Sequence, residues 1–289
     1  MRDWKIIEVP FESGSDRIGS GVAPRWLTEQ CFGKVGHVKL EVENNVENGK
    51  EQHGIKNFES VLDMSARLRD EVASWRETGE NVLVVGGDHA IALGSIAGVL
   101  EENVNVGVIW FDAHGDVNTE MTSPSMNAHG MPVAALLGEC ESRLSDIART
   151  RLRKENIFWV GARDLDAGEI ATIERLGIAD HVYSTECVHE MGMTAVMEDI
   201  KRKMEAQGVD AVHLSFDVDG MDPSIVWATG TRVENGLMPE DLDNFIVGLR
   251  ELPEMKSMDF VEYNPLLDNE KRTTGKWCVE TLRKLIVNS

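Results

Sequence analysis

The chain has 289 residues, 42% of them hydrophobic, with 50 acidic against 29 basic side chains and a formal net charge of −21. That length and apolar fraction can bury a substantial core, as one large domain over residues 1–289 or at most two, and one is the simpler reading. The negative balance argues against nucleic acid or an anionic membrane surface as a partner and is compatible with a cationic small molecule.

No apolar run approaches the roughly 20 residues needed to span a bilayer, and the start, Met1-Arg2-Asp3-Trp4-Lys5-Ile6-Ile7, lacks the long apolar core of a secretory signal. Cys31, Cys140, Cys187 and Cys278 are far apart and form no paired ligand motif, which predicts reduced thiols and a cytoplasmic location.

Along the chain, short apolar runs alternate with amphipathic stretches. Strands are predicted over 5–9 and 37–42, a polar surface loop over 43–56, a helix over 58–78, a strand over 82–85 and a helix over 90–102. The pattern continues with strand 107–111, helix 131–137, strand 157–160, helix 167–176, strand 181–183 and helix 193–207. Strand 211–216, helix 239–250, strand 258–261 and helix 275–287 complete it. This rhythm predicts an α/β fold, a mostly parallel sheet covered by helices on both faces, in which ligands gather at the carboxyl ends of strands.

Four segments fall at or just beyond those strand ends: Gly86-Gly87-Asp88-His89, Asp112-Ala113-His114-Gly115-Asp116, Asn127-Ala128-His129-Gly130 and Asp217-Val218-Asp219-Gly220. On extended backbone, residues i, i+2 and i+4 point to one side. Asp112, His114 and Asp116 have that spacing, Asp217 and Asp219 repeat it, and His89 follows the run Val82-Leu83-Val84-Val85. Taken singly, each motif suits a turn or a helix cap. Converging, the six side chains are too many for one tetrahedral zinc. Their carboxylates would repel by roughly 4 kcal/mol per close pair at an effective dielectric of about 20, and two dications cancel that charge. Oxygen-rich ligation with a minority of imidazole suits manganese or magnesium over zinc or copper; manganese tolerates nitrogen better, so two Mn2+ per chain are expected. Two such ions about 3.5 to 4 Å apart share a water and lower its pKa, which is hydrolase chemistry.

Longer segments surround these motifs. Asp112-Ala113-His114-Gly115-Asp116-Val117-Asn118-Thr119 runs on through Thr122-Ser123-Pro124-Ser125 to His129-Gly130-Met131-Pro132. It is joined by Gly86-Gly87-Asp88-His89-Ala90, Ala162-Arg163-Asp164-Leu165-Asp166-Ala167-Gly168-Glu169, Ser215-Phe216-Asp217-Val218-Asp219-Gly220-Met221-Asp222-Pro223, Ala228-Thr229-Gly230-Thr231 and Val261-Glu262-Tyr263-Asn264-Pro265. Through these segments the chain resembles the arginase family of ureohydrolases over nearly its whole length. The resemblance implies a three-layer α/β/α sandwich with a central eight-stranded, mostly parallel sheet, a binuclear manganese centre, and a homo-oligomer, trimer or hexamer. It implies cleavage of the guanidinium group of L-arginine to urea and L-ornithine by a metal-bridging hydroxide.

Carried over by position, the family pattern holds one metal with His89, Asp112, Asp116 and Asp217 and the other with Asp112, His114, Asp217 and Asp219. The implied catalytic set is His129 as proton shuttle, Glu262 as guanidinium partner with Thr231 nearby, and Asp116. Asn118, Ser123 and Ser125 would meet the substrate's α-carboxylate, and Asp166 and Glu169, beside Asp164, its α-amino group. Agmatine, which lacks the carboxylate, has no use for that serine cluster, so arginine ranks ahead of agmatine, another guanidino acid or formiminoglutamate. A catalytically inactive metal-binding homologue is the further alternative.

Each position also has a structural reading. Asn118, Ser123 and Ser125 suit a hydrogen-bonded loop, Asp164, Asp166 and Glu169 a helix cap, Glu262 an ion pair and His129 a satisfied loop histidine. His213, inside an apolar strand, reads as packed core, and His37, His53, His181 and His189 lack converging partners. The chain departs from the family pattern at Met126, usually glycine, and at Trp227 and Arg232, usually proline; a methionine and a tryptophan at a pocket rim would narrow it. Gly19-Ser20-Gly21-Val22-Ala23-Pro24-Arg25 matches the family only loosely.

Overall fold

A computed structural model describes residues 4–33, 37–45, 51–102 and 104–287. The strands are β1 (Trp4–Val9), β2 (His37–Lys39), β3 (Glu51–Gln52), β4 (Ile55–Lys56), β5 (Asn81–Gly86), β6 (Val106–Phe111), β7 (Ile157–Val160), β8 (Val182–Tyr183), β9 (Ala211–Asp217) and β10 (Met255–Val261). Among the described residues eight of them form one sheet in the order β2-β1-β5-β10-β9-β6-β7-β8, parallel throughout, while β3 and β4 form a separate antiparallel hairpin.

The central strands read as unbroken apolar runs because both of their faces are covered. In β6, Val106, Val108 and Trp110 enter one core layer and Ile109 and Phe111 the other. The first layer is closed by α2 (Phe58–Glu77), α3 (Ile91–Leu100) and α4 (Pro132–Leu137), with α5 (Ser142–Ser145) and α6 (Ala167–Leu176) beside them. On the opposite face lie α1 (Ala23–Phe32), α7 (Thr185–Met191), α8 (Met193–Gln207), α9 (Pro239–Leu249) and α10 (Thr273–Val287). All ten residues of α3 are buried, as expected of a helix apolar all round. Its Gly94 lets α2 approach closely, since a Cβ there would lie 2.6 Å from the Ser65 carbonyl oxygen. No helix of the described residues is long and apolar enough to cross a membrane.

The sheet order has a functional consequence. The chain leaves β6 toward β7 on one side and leaves β9 toward β10 on the other, so the loops after β6 and β9 diverge and open a crevice at the carboxyl edge. The two strands pair in register up to Phe111 and Phe216, which brings the following residues, Asp112 and Asp217, level.

The eight sheet strands and seven long helices predicted from sequence are present, with shifted ends. Strand β2 stops at Lys39 rather than continuing to Val42, although the Leu40 amide still donates to the Glu8 carbonyl at 2.9 Å. The predicted loop over 43–56 contains the β3–β4 hairpin; its residues 46–50 lie outside those described. Helices α1 and α7 were not evident in sequence: α1 buries only Ala23, Pro24, Leu27 and Thr28, too few for a periodic signal.

Glycine is required at the end of β5. A Cβ on Gly87 would sit 1.9 Å from the Phe11 carbonyl oxygen, which accepts the Asp88 amide. Gly87→Ala is expected to destabilise the metal-free protein by about 3 kcal/mol, read as a lowered thermal midpoint; an unchanged midpoint would contradict this packing.

Candidate metal centre and pocket

The loops after β6 and β9 use the same local device. An Asp oxygen accepts the backbone N–H two residues on and turns that residue's side chain back toward the strand end. Asp112 Oδ1 accepts from His114 N at 2.7 Å, and Asp217 Oδ1 accepts from Asp219 N at 2.8 Å. The loop after β5 supplies His89, whose amide donates to Glu262 Oε1 at 2.8 Å. Thus Asp-X-His and Asp-X-Asp become two aimed pairs on neighbouring strands, and β5 and β10 close them from the other side.

His89 Nδ1 lies 2.9 Å from Asp112 Oδ2, 3.1 Å from Asp116 Oδ2 and 3.3 Å from Asp217 Oδ2. Despite that proximity this buried nitrogen makes no hydrogen bond, because it faces the space between the carboxylates rather than any one of them. Its other nitrogen is satisfied by Ser215 Oγ at 2.8 Å. With Nε2 so engaged, Nδ1 presents a lone pair to three carboxylate oxygens, an arrangement that suits a cation. A second group lies alongside: His114 Nδ1 is 3.2 Å from Asp112 Oδ1 and 3.4 Å from Asp219 Oδ2. The two candidate ligand groups, His89/Asp112/Asp217 and Asp112/His114/Asp219, share Asp112. The residues therefore fit a pair of cations.

The electrostatics agree. Burial, and then the charge of neighbouring carboxylates, pushes Asp116 and Asp217 above the usual carboxylate range. Burial raises Asp219 also, against the opposing pull of His114. Asp112 goes the other way: burial opposes its ionisation, but His114 and His89 hold it low. Burial likewise works against protonation of His89, yet Asp112, Asp116 and Asp217 outweigh it and lift the imidazole well above its ordinary value. In the absence of cations, protons take their place.

Over these ligands opens a cavity of about 260 Å³, reached by His114, Asp116 and Asp217 from below and by His129 and Thr231 from the sides. Asn118, Ser123, Ser125, Asp164, Asp166 and Glu169 line its outer part. His89, Asp112, Asp219 and Glu262 lie buried. His129 Nδ1 is 3.3 Å from Glu262 Oε1; burial lowers its basicity, but Glu262 dominates and the imidazole is pushed up to about 9. Thr231 donates its hydroxyl to Asp219 Oδ2 at 2.8 Å, so it steadies a candidate ligand as well as lining the cavity.

The outer residues divide. Ser123 Oγ accepts the Met126 amide and Ser125 Oγ the Asn127 amide, and the two hydroxyls lie 3.4 Å apart, where one can donate to the other and the remaining hydrogen into the cavity. The Asn118 amide group is committed within the protein, donating to Asp166 Oδ2 at 2.7 Å and accepting from Thr122. Asp166 and Glu169 also realise the capping reading, as the reciprocal box that starts α6. Burial and then Asp116 push the Glu169 carboxyl up to about 7. Asp164 is mostly exposed, and its carboxylate approaches His114 Nε2 at 3.9 Å.

Several supporting residues were missed in sequence. Asp88 is fully buried and accepts the Gly14 amide at 2.6 Å and the Ala90 amide at 3.1 Å; burial, then Glu262, pushes it up to about 7. Trp110 donates its indole N–H to Asp112 Oδ2 at 3.0 Å. Beneath His89, Asp259 is buried without exposure and accepts from Ser95 and from Ser215 at 3.4 Å, with His213 Nε2 at 3.0 Å. The signal was readable: His213 and Ser215 on β9, and Ser257 and Asp259 on β10, are polar at alternate positions of otherwise apolar strands. His213 is core, as expected, but hydrogen-bonded core.

The departures also resolve. Met126 has a φ of 61°, a left-handed conformation that glycine adopts freely. Neither Met126 nor Trp227 lines the cavity, contrary to expectation, and Trp227 packs, partly buried, against the second core layer. Asp116 and Glu262 also have positive φ, 48° and 66°, so strain collects around the site.

A wholly parallel α/β sheet with two carboxylate–imidazole groups at its switch point defines a metal-dependent α/β enzyme. A profile described as the Arginase family matches residues 2–287. An arginase from Staphylococcus aureus is 38% identical over 283 residues, covering 93% of this chain and 92% of that protein. The Entamoeba histolytica arginase structure, in complex with L-ornithine, superposes with a TM-score of 0.88 at 34% identity over 99% of both chains. Bacillus caldovelox arginase superposes at 0.89, with 34% identity, over 99% of this chain and 98% of its own. The chain belongs to the arginase family, and is a hydrolase of that family.

Ser215→Ala removes the partner of His89 Nε2 and is expected to weaken divalent-metal binding roughly 10- to 100-fold while the protein stays folded. Chelator competition on protein of verified circular dichroism measures it; wild-type affinity would show that Ser215 does not orient His89.

Proposed function

We propose that this protein is a manganese-dependent arginase that hydrolyses the guanidinium C–N bond of L-arginine to give urea and L-ornithine. The observation that carries the reading is the pair of carboxylate–imidazole groups sharing Asp112 at the floor of a cavity whose outer wall offers hydroxyl donors and carboxylates together. The S. aureus and E. histolytica proteins named arginase support it.

In this reading His89, Asp112, Asp116 and Asp217 hold one metal, and Asp112, His114, Asp217 and Asp219 the other. Oxygen-rich ligation with two imidazoles favours manganese. Bound there, two divalent cations acidify water toward neutrality and offset the carboxylate charge. The protein's own groups do the rest. Glu262 Oε1 is engaged by the His89 amide and by His129, which leaves Oε2 for the substrate guanidinium, beside Thr231. His129, protonated below about 9, gives its proton to the departing amine and recovers one from solvent. The Ser123 and Ser125 hydroxyl pair donates to the α-carboxylate, with Asn118 fixing its loop through Thr122. Asp164 meets the α-amino group, backed by Asp166 and Glu169. A cytoplasmic location and a trimeric or hexameric assembly belong to the same reading, supported by the dispersed cysteines and by the family.

Purified, manganese-loaded protein is expected to release urea from L-arginine faster than from agmatine; agmatine as the better substrate would overturn the assignment. His129→Ala is expected to keep both metals and to lower kcat by roughly 10²- to 10⁴-fold, measured beside metal content. An undiminished rate would clear His129 of proton transfer.

A further inference from the structure

The loop that carries Ser123 and Ser125 is gripped by Lys56, the last residue of the β3–β4 hairpin. The Lys56 backbone amide donates to the Met126 carbonyl at 2.9 Å. Its ammonium donates to both carboxylate oxygens of Asp16, at 2.9 and 2.8 Å, and to Asn127 Oδ1 at 3.1 Å. The Asn127 side-chain amide closes the triangle by donating to Asp16 Oδ2 at 3.2 Å. The loop after β1, the hairpin and the pocket wall are thereby joined through one ammonium. Burial works against ionisation of Asp16, but Lys56 and then Asn127 outweigh it and hold its carboxyl below the usual carboxylate range. The turn of the hairpin seats against the same wall, since a Cβ on Gly54 would lie 3.0 Å from the Glu120 carbonyl oxygen. Lys56, Asp16 and Asn127 do not line the cavity themselves.

What the triangle holds is a strained turn. Met126 has a φ of 61°, a conformation that a residue with a side chain keeps only where its surroundings over-determine it. Its amide donates to Ser123 Oγ at 3.0 Å, and the Asn127 amide donates to Ser125 Oγ at 3.2 Å, so the same turn sets the direction of both hydroxyls. His129 is held separately, by its amide on the Gly14 carbonyl at 3.0 Å and by Glu262.

We infer that Lys56 is a positioning residue that, through Asn127 and Asp16, keeps Met126 in its left-handed turn and so sets the two serines for the carboxylate end of the substrate. The inference rests on the proposed arginase reading for the identity of that substrate. A half-exposed ion pair contributes little by itself, and the Asp16 side chain is 55% exposed. The effect comes instead from one ammonium bonded to two separate segments, one of them the strained turn. Met126 stands where the family pattern has glycine, so the need for this clamp is a property of this chain.

The test uses full-length, manganese-loaded protein carrying Lys56→Met, Met126→Gly or both. Urea release from L-arginine and from agmatine is measured beside calorimetric binding of L-ornithine and amide hydrogen exchange over residues 119–130. Lys56→Met is expected to raise KM for L-arginine and Kd for L-ornithine roughly three- to tenfold while kcat stays within about twofold. Agmatine, which has no carboxylate for the serines, should keep its kcat/KM. Exchange at the Met126 and Asn127 amides should quicken in the same variant. In the Met126→Gly background the effect of Lys56→Met on KM should shrink to below about twofold, because the strain that the clamp opposes is gone. An unchanged KM, equal losses on arginine and agmatine, or an undiminished effect in the Met126→Gly background would overturn the clamp. Wild-type protein that releases no urea from arginine would instead overturn the arginase reading, and exchange would still decide the clamp: wild-type rates at Met126 and Asn127 in Lys56→Met would refute it.

Discussion

Asp112, Asp116, Asp217 and Asp219 are each more than nine-tenths buried and crowd around two imidazoles, and their mutual repulsion is the constraint on which the rest of the structure depends. Clustered carboxylates in a weakly screening interior oppose folding unless something neutralises them. The chain answers with a ligand geometry that two cations fit, with Asp112 held between His89 and His114. Trp110, Thr231 and Ser215 each add a hydrogen bond to one of these side chains, to Asp112, Asp219 and His89 in turn, which fixes their directions.

The sheet makes that arrangement affordable in shape as well as in charge. Register between β6 and β9 brings Asp112 and Asp217 level, and the divergence of the loops after them opens the crevice. Beneath the site the polar residues of β9 and β10 pack against α3, where Ser95 reaches Asp259. A buried carboxylate so placed ties the floor of the metal centre to the most deeply buried helix, and links the site's geometry to core packing.

The wall above is built differently. It consists of loops held by local devices: the Asp166–Glu169 capping box, the Ser123 and Ser125 turns, and Asp88 gripping Gly14, whose carbonyl accepts the His129 amide. Non-glycine residues with left-handed backbone, Asp116, Met126 and Glu262, sit among these loops. The floor is thus set by strands and the wall by turns. Arg17 and Arg232 line a cavity that adjoins it.

Much of this was legible in the residues alone. Period-two placement of acids and imidazoles after apolar runs marked the side chains that the structure brings together at the strand ends, because strand geometry is local and repeats every two residues. Alternation of apolar and amphipathic stretches marked the parallel sheet, and the ordered motifs marked the family. Tertiary structure alone decided the rest. Strand order and register put Asp112 and Asp217 side by side. Ser215, Asp259 and Asp88 became supports only once distant strands and loops met, Asp88 and Gly14 being 74 residues apart. The same holds for the mouth: Met126 and Trp227 do not line the cavity, while Arg17 and Arg232, far apart in the chain, meet at the adjoining one. Local chemistry follows from the order of residues, whereas the meeting of groups from separate loops depends on how the layers pack.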